Sequence, residues 1–293
     1  MATSCETEPI VEDRAQIDDV SIGYQRYGQG PEKFIFICGG VGSYKKDFPE
    51  QVLRAFDPNL FTIVCLDPPG YGTSQPPVRK QERNRCKMDA KYCIGLMKAT
   101  YGIDALLRAR LERRRTRVGK HGVHVAHQGG PQLVKRAVLI AATTRIDERT
   151  DRAFLNLRNT DGWMDEMKDP FLRHMDEDFL RVQWAAICDV VHEFVLFFLR
   201  LIQLNHRVYL NYGGRFPSDL LLGQLKVPVL VVSGGMDRFI MDQKQLTQMI
   251  PNARQEVHAQ GGHDFYVRAP RWLALKVTTF VNETPNGKSA AKI

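Results

Sequence analysis

FTIVCLDPPGYGTS, residues 61–74, runs from an almost wholly apolar segment straight into a turn of prolines and glycines. A short apolar run with no polar alternation is a strand covered on both faces, the pattern of a parallel sheet. The same grammar recurs on either side. Upstream, FIFICGG (34–40) is a β-rich run ending in glycines, and VSIGYQRYG (20–28) alternates like an opening hairpin strand. Downstream, AVLIAA (137–142), VPVLVVSGGMD (227–237) and RQEVHAQGGH (254–263) read as strands with their turns. Between them, DFPEQVLRAF (47–56), KMDAKYCIGLMKATYG (87–102), DQKQLTQMI (242–250) and PRWLALKVTTFVN (270–282) have helical spacing. Gly102 is placed as a C-cap. Strands alternating with helices predict an α/β chain with a mostly parallel sheet. Residues 144–222 break the rhythm: they are helical and rich in Trp, Met and charge, and predict an inserted lid. The expected organisation is an N-terminal tail (1–19), a core (20–143 and 223–284), the lid (144–222) and a C-terminal tail (285–293).

The chain has 293 residues and a net charge of +8. Seven Lys/Arg and one Glu lie between 108 and 130, a local +6 that leaves +2 for the rest. The basic balance therefore belongs to one segment and not to the whole surface. The six cysteines show no metal-ligand spacing, and Cys38 and Cys65 sit in apolar runs. Reduced thiols and an acidic N-terminus without an apolar signal core predict an intracellular protein, cytoplasmic or alternatively mitochondrial. FVLFFLRLI (194–202) is too short to span a bilayer and is interrupted by Arg200, so no membrane partner is expected. VLFFLRLIQLNHRVYLNY (195–212) lengthens the lid, as an insertion or, more simply, as a lid helix.

In an open parallel sheet a ligand lies beyond the carboxyl ends of the strands. Three such ends carry polar chemistry. Cys38-Gly39-Gly40-Val41-Gly42-Ser43 could bring backbone N–H groups to an oxyanion, although a plain tight turn explains the glycines too. Asp237 could orient a histidine, or merely cap a turn. His263 could be a general base, or a surface histidine. An acid after one late strand and a histidine after the next follow the order nucleophile, acid, base.

Asp67-Pro68-Pro69-Gly70-Tyr71-Gly72-Thr73-Ser74 is the D-x-x-G-x-G-x-S turn common among α/β-hydrolases. Together with ICGGVGS, SGGMD and GGHD it resembles the valacyclovir hydrolase, or biphenyl-hydrolase-like, group, over about 20–107 and 131–282. The resemblance implies the α/β-hydrolase fold and hydrolysis of small-molecule carboxylic esters, α-amino-acid esters among them, without cofactor or metal. It makes Asp237 the triad acid and His263 the base. Gly40 and Val41 flank the oxyanion loop, with the Val41 N–H as donor.

One departure is severe. The group's nucleophile turn reads GWSDGG, its Asp holding the substrate's ammonium, and this chain has no serine between Ser74 and Ser218. Ser43, Ser74 and Ser233 lie on strand-end loops without the strand–turn–helix elbow, and no cysteine replaces them. The nucleophile is therefore absent, and the central strand and its helix are expected to be missing or disordered. One synonymous coding of Arg110-Leu111-Glu112-Arg113-Arg114, CGG CTG GAG CGA CGG, reads Gly-Trp-Ser-Asp-Gly one nucleotide later. On that basis about 107–130 reads as out of frame, with the frame restored near Pro131. RRRTR as a phosphate-binding or nuclear signal lacks an accompanying nucleic-acid-binding fold. His121, His124 and His127, spaced by three, lack a carboxylate or Cys to complete a metal site. The expectations are a serine-hydrolase-family protein without its serine, or an inactive binding protein of the same fold.

Overall fold

The computed structural model describes residues 8–82, 85–102, 114–117, 119–142, 148–204, 217–237 and 243–283. Its strands are β1 (Ile10–Ile17), β2 (Val20–Tyr27), β3 (Glu32–Ile37), β4 (Phe61–Leu66), β5 (Arg114–Arg117), β6 (Arg136–Ile140), β7 (Val229–Gly234) and β8 (Ala253–His258). They form one eight-stranded sheet in the order β1-β2-β4-β3-β5-β6-β7-β8. β1 and β2, and β2 and β4, pair antiparallel; every later pair is parallel. The helices are α1 (Tyr44–Asp47), α2 (Glu50–Leu53), α3 (Arg85–Tyr101), α4 (Gly119–Leu133), α5 (Glu148–Asn156), α6 (Asp165–Leu172), α7 (Glu177–Leu204), α8 (Gln243–Met249), α9 (Phe265–Arg268) and α10 (Pro270–Asn282).

Two-sided burial explains the apolar runs. Ile35, Ile37, Val64, Leu66, Leu139 and Val231 join a core with Ala90 and Leu96 of α3 and with Val123 and Ala126 of α4. Their neighbours Phe34, Phe36, Ile63, Cys65, Val138 and Val232 join the opposite core with Phe48, Val52 and, from α10, Leu273 and Val277. Successive residues point to opposite faces, so a strand segment covered by helices on both sides buries every side chain, which accounts for the apolar runs.

Three expectations are corrected. Ile10–Ile17, placed in the N-terminal tail, is an edge strand paired along its whole length with β2; charged side chains are common on edge strands, where they discourage pairing with a further chain. DFPEQVLRAF is not one helix, because α1 ends at Asp47 and α2 begins after Pro49, whose ring removes a donor and disfavours helix in the residue before it.

The third correction concerns the centre of the sheet, expected to be missing or disordered. Arg114–Arg117 lies between β3 and β6, with Lys33 opposite Arg114, Phe36 opposite Arg117, and Thr116 opposite Ala137. α4 follows and packs against α3. The ladder bonds backbone groups, so an apolar side chain is not needed to fill the slot, and leaving it empty would strand two rows of N–H and C=O groups. In the shifted frame the Gly-Trp-Ser-Asp-Gly turn would end at residue 114, where β5 begins; residues 103–113 lie outside the described set. Residues 195–204 of the expected insertion continue α7, and 205–212 lie outside the described residues, as do 1–7 and the C-terminal tail. Among the described residues no helix is long and apolar enough to cross a membrane.

Gly130 interrupts α4 with φ 58 and ψ −179, just before Pro131, a conformation essentially confined to glycine. Gly130→Ala should lower the unfolding free energy by about 1–3 kcal/mol in urea titration. An unchanged midpoint would mean that this turn is not held as described.

Candidate active site

The carboxyl ends of β3, β4, β7 and β8 carry the site. After β7, Gly234 and Gly235 turn the chain into Asp237; after β8, Gly261 and Gly262 turn it into His263. The two turns interlock: Gly235 N donates to His258 O (2.9 Å), and Met236 N donates to Gly261 O (2.8 Å). A methyl group on Gly234 would lie 2.3 Å from the carbonyl oxygens of Gly261 and Gly262, and one on Gly235 2.5 Å from Ala259 O. Only glycine permits this approach. It places His263 Nδ1 3.0 Å from Asp237 Oδ2. The Asp237 side chain is fully buried, whereas the His263 side chain is 49% exposed. A buried carboxylate against an accessible imidazole is the arrangement that orients and charges a base.

The loop after β3 is held by two buried carboxylates. Asp47 Oδ2 accepts from Gly39 N (2.7 Å), and Lys46 Nζ lies 2.6 Å from its other oxygen. Asp67, in the turn after β4, accepts from Tyr44 N (2.7 Å), Thr73 N (2.7 Å) and Thr73 Oγ1 (2.9 Å). Burial pushes the Asp67 carboxyl above its ordinary range, and those donors oppose the shift. Gly39 and Gly40 are exposed, while the Val41 side chain is buried with Tyr71 and with Leu180, Ile187 and Val191 of α7. Tyr71 Oη donates to Gly40 O (2.8 Å). In a trans peptide the N–H points opposite the C=O. Pinning the Gly40 carbonyl therefore aims the Val41 N–H the other way.

The serines on these strand ends have structural partners. Ser74 Oγ donates to Asp67 O (2.7 Å) and accepts from Gly23 N (2.8 Å). Ser43 caps α1, and Ser233 accepts from Gln255 Nε2 at 3.3 Å. Burial raises the Cys38 and Cys93 thiols well above their usual range and lifts Cys188 to about 12. A thiolate nucleophile needs the opposite shift. Past β5 the chain reads Val118-Gly119-Lys120-His121-Gly122, without hydroxyl or thiol; Val118 lies outside the described residues. No cluster of His, Cys, Asp or Glu suited to a metal occurs among the described residues.

A family model described as the alpha/beta hydrolase family matches residues 34–276. The chain belongs to the alpha/beta hydrolase family. Within it, the chain is 26% identical to the serine hydrolase BPHL of Mus musculus over 259 residues, covering 87% of this chain and 81% of that protein. BPHL of Homo sapiens is 24% identical over the same shares. Among solved structures, a serine hydrolase involved in carbazole degradation superposes with a TM-score of 0.64 at 17% identity, over 93% of this chain and 99% of that one. E-2-(acetamidomethylene)succinate hydrolase gives 0.63 at 17%, over 94% and 100%. These structural likenesses carry the fold; the family and the BPHL relatives support a hydrolase as the functional class.

The structure brings Asp237 and His263 together and puts Gly40 and Val41 on the loop after β3, but the residues that hold them were not singled out in the sequence. Asp47 and Gln81 belong to no motif, Tyr71 fills an unspecified position of the Asp67–Ser74 turn, and only the fold brings them to the loop. Asp67 was quoted as a motif residue without its role as a brace.

Two measurements check this geometry. Gly234→Ala should destabilise by about 1–3 kcal/mol, because backbone rather than a side chain must yield. A change near zero would separate the two turns. A raised folded-state pKa means that the folded chain binds the Asp67 proton more tightly than the unfolded one, so its stabilising effect is present at acid pH and lost as pH rises through the folded value. The wild type should therefore gain stability relative to Asp67→Asn as pH falls from about 7 to 4; a constant difference in chemical denaturation would contradict the shift.

Proposed function

We propose that this chain has the ester-binding site and acid–base pair of a carboxylic-ester hydrolase without the serine that would carry the acyl group. The observation that carries this reading is the β5–α4 junction, where no hydroxyl or thiol follows the strand while Asp237 and His263 remain 3.0 Å apart a few strands away. Asp237, accepting from Nδ1–H, would fix the imidazole tautomer and leave the basic lone pair on Nε2. The Val41 N–H, aimed by Tyr71 through the Gly40 carbonyl, would donate to a developing oxyanion. The helices between β6 and β7 would act as the lid over small-molecule substrates.

With a serine, His263 would take its proton as it attacked the ester carbonyl, and return that proton to the leaving alcohol. Without one, the pair has only water to activate. Deleting the nucleophile of a triad costs on the order of 10⁶ in turnover, with a residual acceleration over water from the oxyanion donors and binding. The GWSDGG aspartate that would hold an ammonium is likewise missing, which leaves α-amino-acid esters without their anchor.

The purified chain should give no covalent adduct with a fluorophosphonate probe by intact-mass spectrometry, and its hydrolysis of p-nitrophenyl acetate should fall near the background of a His263→Ala variant. A stoichiometric adduct on any residue would overturn the proposal.

A further inference from the structure

Among the described residues, one cation stands at the mouth of the oxyanion loop. Arg85 opens α3, and a methyl group placed on Gly40 would lie 3.9 Å from Arg85 Nη2 and 3.6 Å from Ile187 Cδ1. A side chain at the exposed Gly40 would thus meet both a guanidinium and an aliphatic side chain of α7. That guanidinium is held in place. Its Nη1 donates to Gln81 Oε1, and Gln81 Nε2 donates to Tyr71 Oη (2.5 Å) and to Gln183 Oε1 (2.7 Å). Gln183 Nε2 in turn donates to Arg79 O (3.2 Å). The amides and the phenol are neutral, so they orient Arg85 without cancelling its charge.

Two buried carboxylates of this region are engaged elsewhere. Asp89 is forked by Arg79 at 2.8 and 2.7 Å, and Asp47 is bound by Gly39 N and Lys46. No carboxylate among the described residues forms an ion pair with Arg85. A preoriented guanidinium with donors to spare is suited to bidentate contact with a carboxylate.

We infer that Arg85 is a specificity-determining residue that selects a ligand carrying a free carboxylate close to its ester group. The inference rests on the reading of the β3 loop as the ester site, and it reverses the charge preference of the group the sequence resembles, which recognises an ammonium. The half-ester would put its ester carbonyl at the Val41 N–H and its carboxylate at Arg85, which closely approaches Gly40.

The test compares monomethyl glutarate, dimethyl glutarate and glycine methyl ester by titration calorimetry against the full chain and an Arg85→Gln variant. Monomethyl glutarate should bind about tenfold more tightly than the neutral diester, glycine methyl ester should bind worst, and Arg85→Gln should erase the difference between the glutarates. Equal binding of both glutarates to the wild type, or a preference unchanged in the variant, would overturn the role of Arg85 while leaving the ester site standing. Binding of neither would overturn the ester site and this inference with it. Should Arg85→Gln fail to fold, salt dependence in the wild type decides. Added NaCl should weaken monomethyl but not dimethyl glutarate, and an indifferent monoester would refute the inference.

Discussion

The backbone ladder that Arg114–Arg117 makes with β3 on one side and β6 on the other joins the halves of this molecule. The Gly39–Val41 loop issues from β3; the turns that carry Asp237 and His263 issue from β7 and β8, reached through β6. Remove β5 and these are two sheets with open edges, whose loops have no fixed relation. The constraint is indifferent to chemistry at the side-chain level, since N–H and C=O groups pair whatever they carry. A sequence as polar as RRTR can thus complete the sheet between the apolar segments Phe34–Ile37 and Ala137–Ile140.

Around that ladder the site is braced by buried charge and by close backbone approach. Asp47 and Asp67 each gather donors from the loops they support, and the Gly234–Gly235 turn meets the loop after β8 so tightly that a methyl group has no room on either glycine. Tyr71 links the two kinds of support. Its hydroxyl holds the Gly40 carbonyl, and its ring packs with α7 and under the Arg79 guanidinium at 4.9 Å. The helices between β6 and β7 are tied to the loop through the same residue, so access to the site and orientation of the Val41 amide share one anchor.

Much of this was legible in the sequence because burial on two faces leaves a plain signature. β3, β4, β6 and β7 are apolar runs ending in turn residues, and Asp237 and His263 follow their strands in hydrolase order. What escaped did so for physical reasons. β1 is an edge strand whose outward residues are charged. β5 is held by its backbone, which composition does not report. Pro49 split a helix whose spacing looked continuous. Arg85, Gln81 and Gln183 are separated by up to 102 residues along the chain, and no local pattern announces that they meet.

The central claim is that 114–117 and the helix after it are folded into the sheet although they carry no nucleophile. Hydrogen–deuterium exchange followed by mass spectrometry tests it directly. Amides of 115–117 and 123–129 should exchange as slowly as those of β3 and β6, on the timescale of global unfolding. Complete exchange of these amides within seconds, with β3 and β6 still protected, would contradict the account.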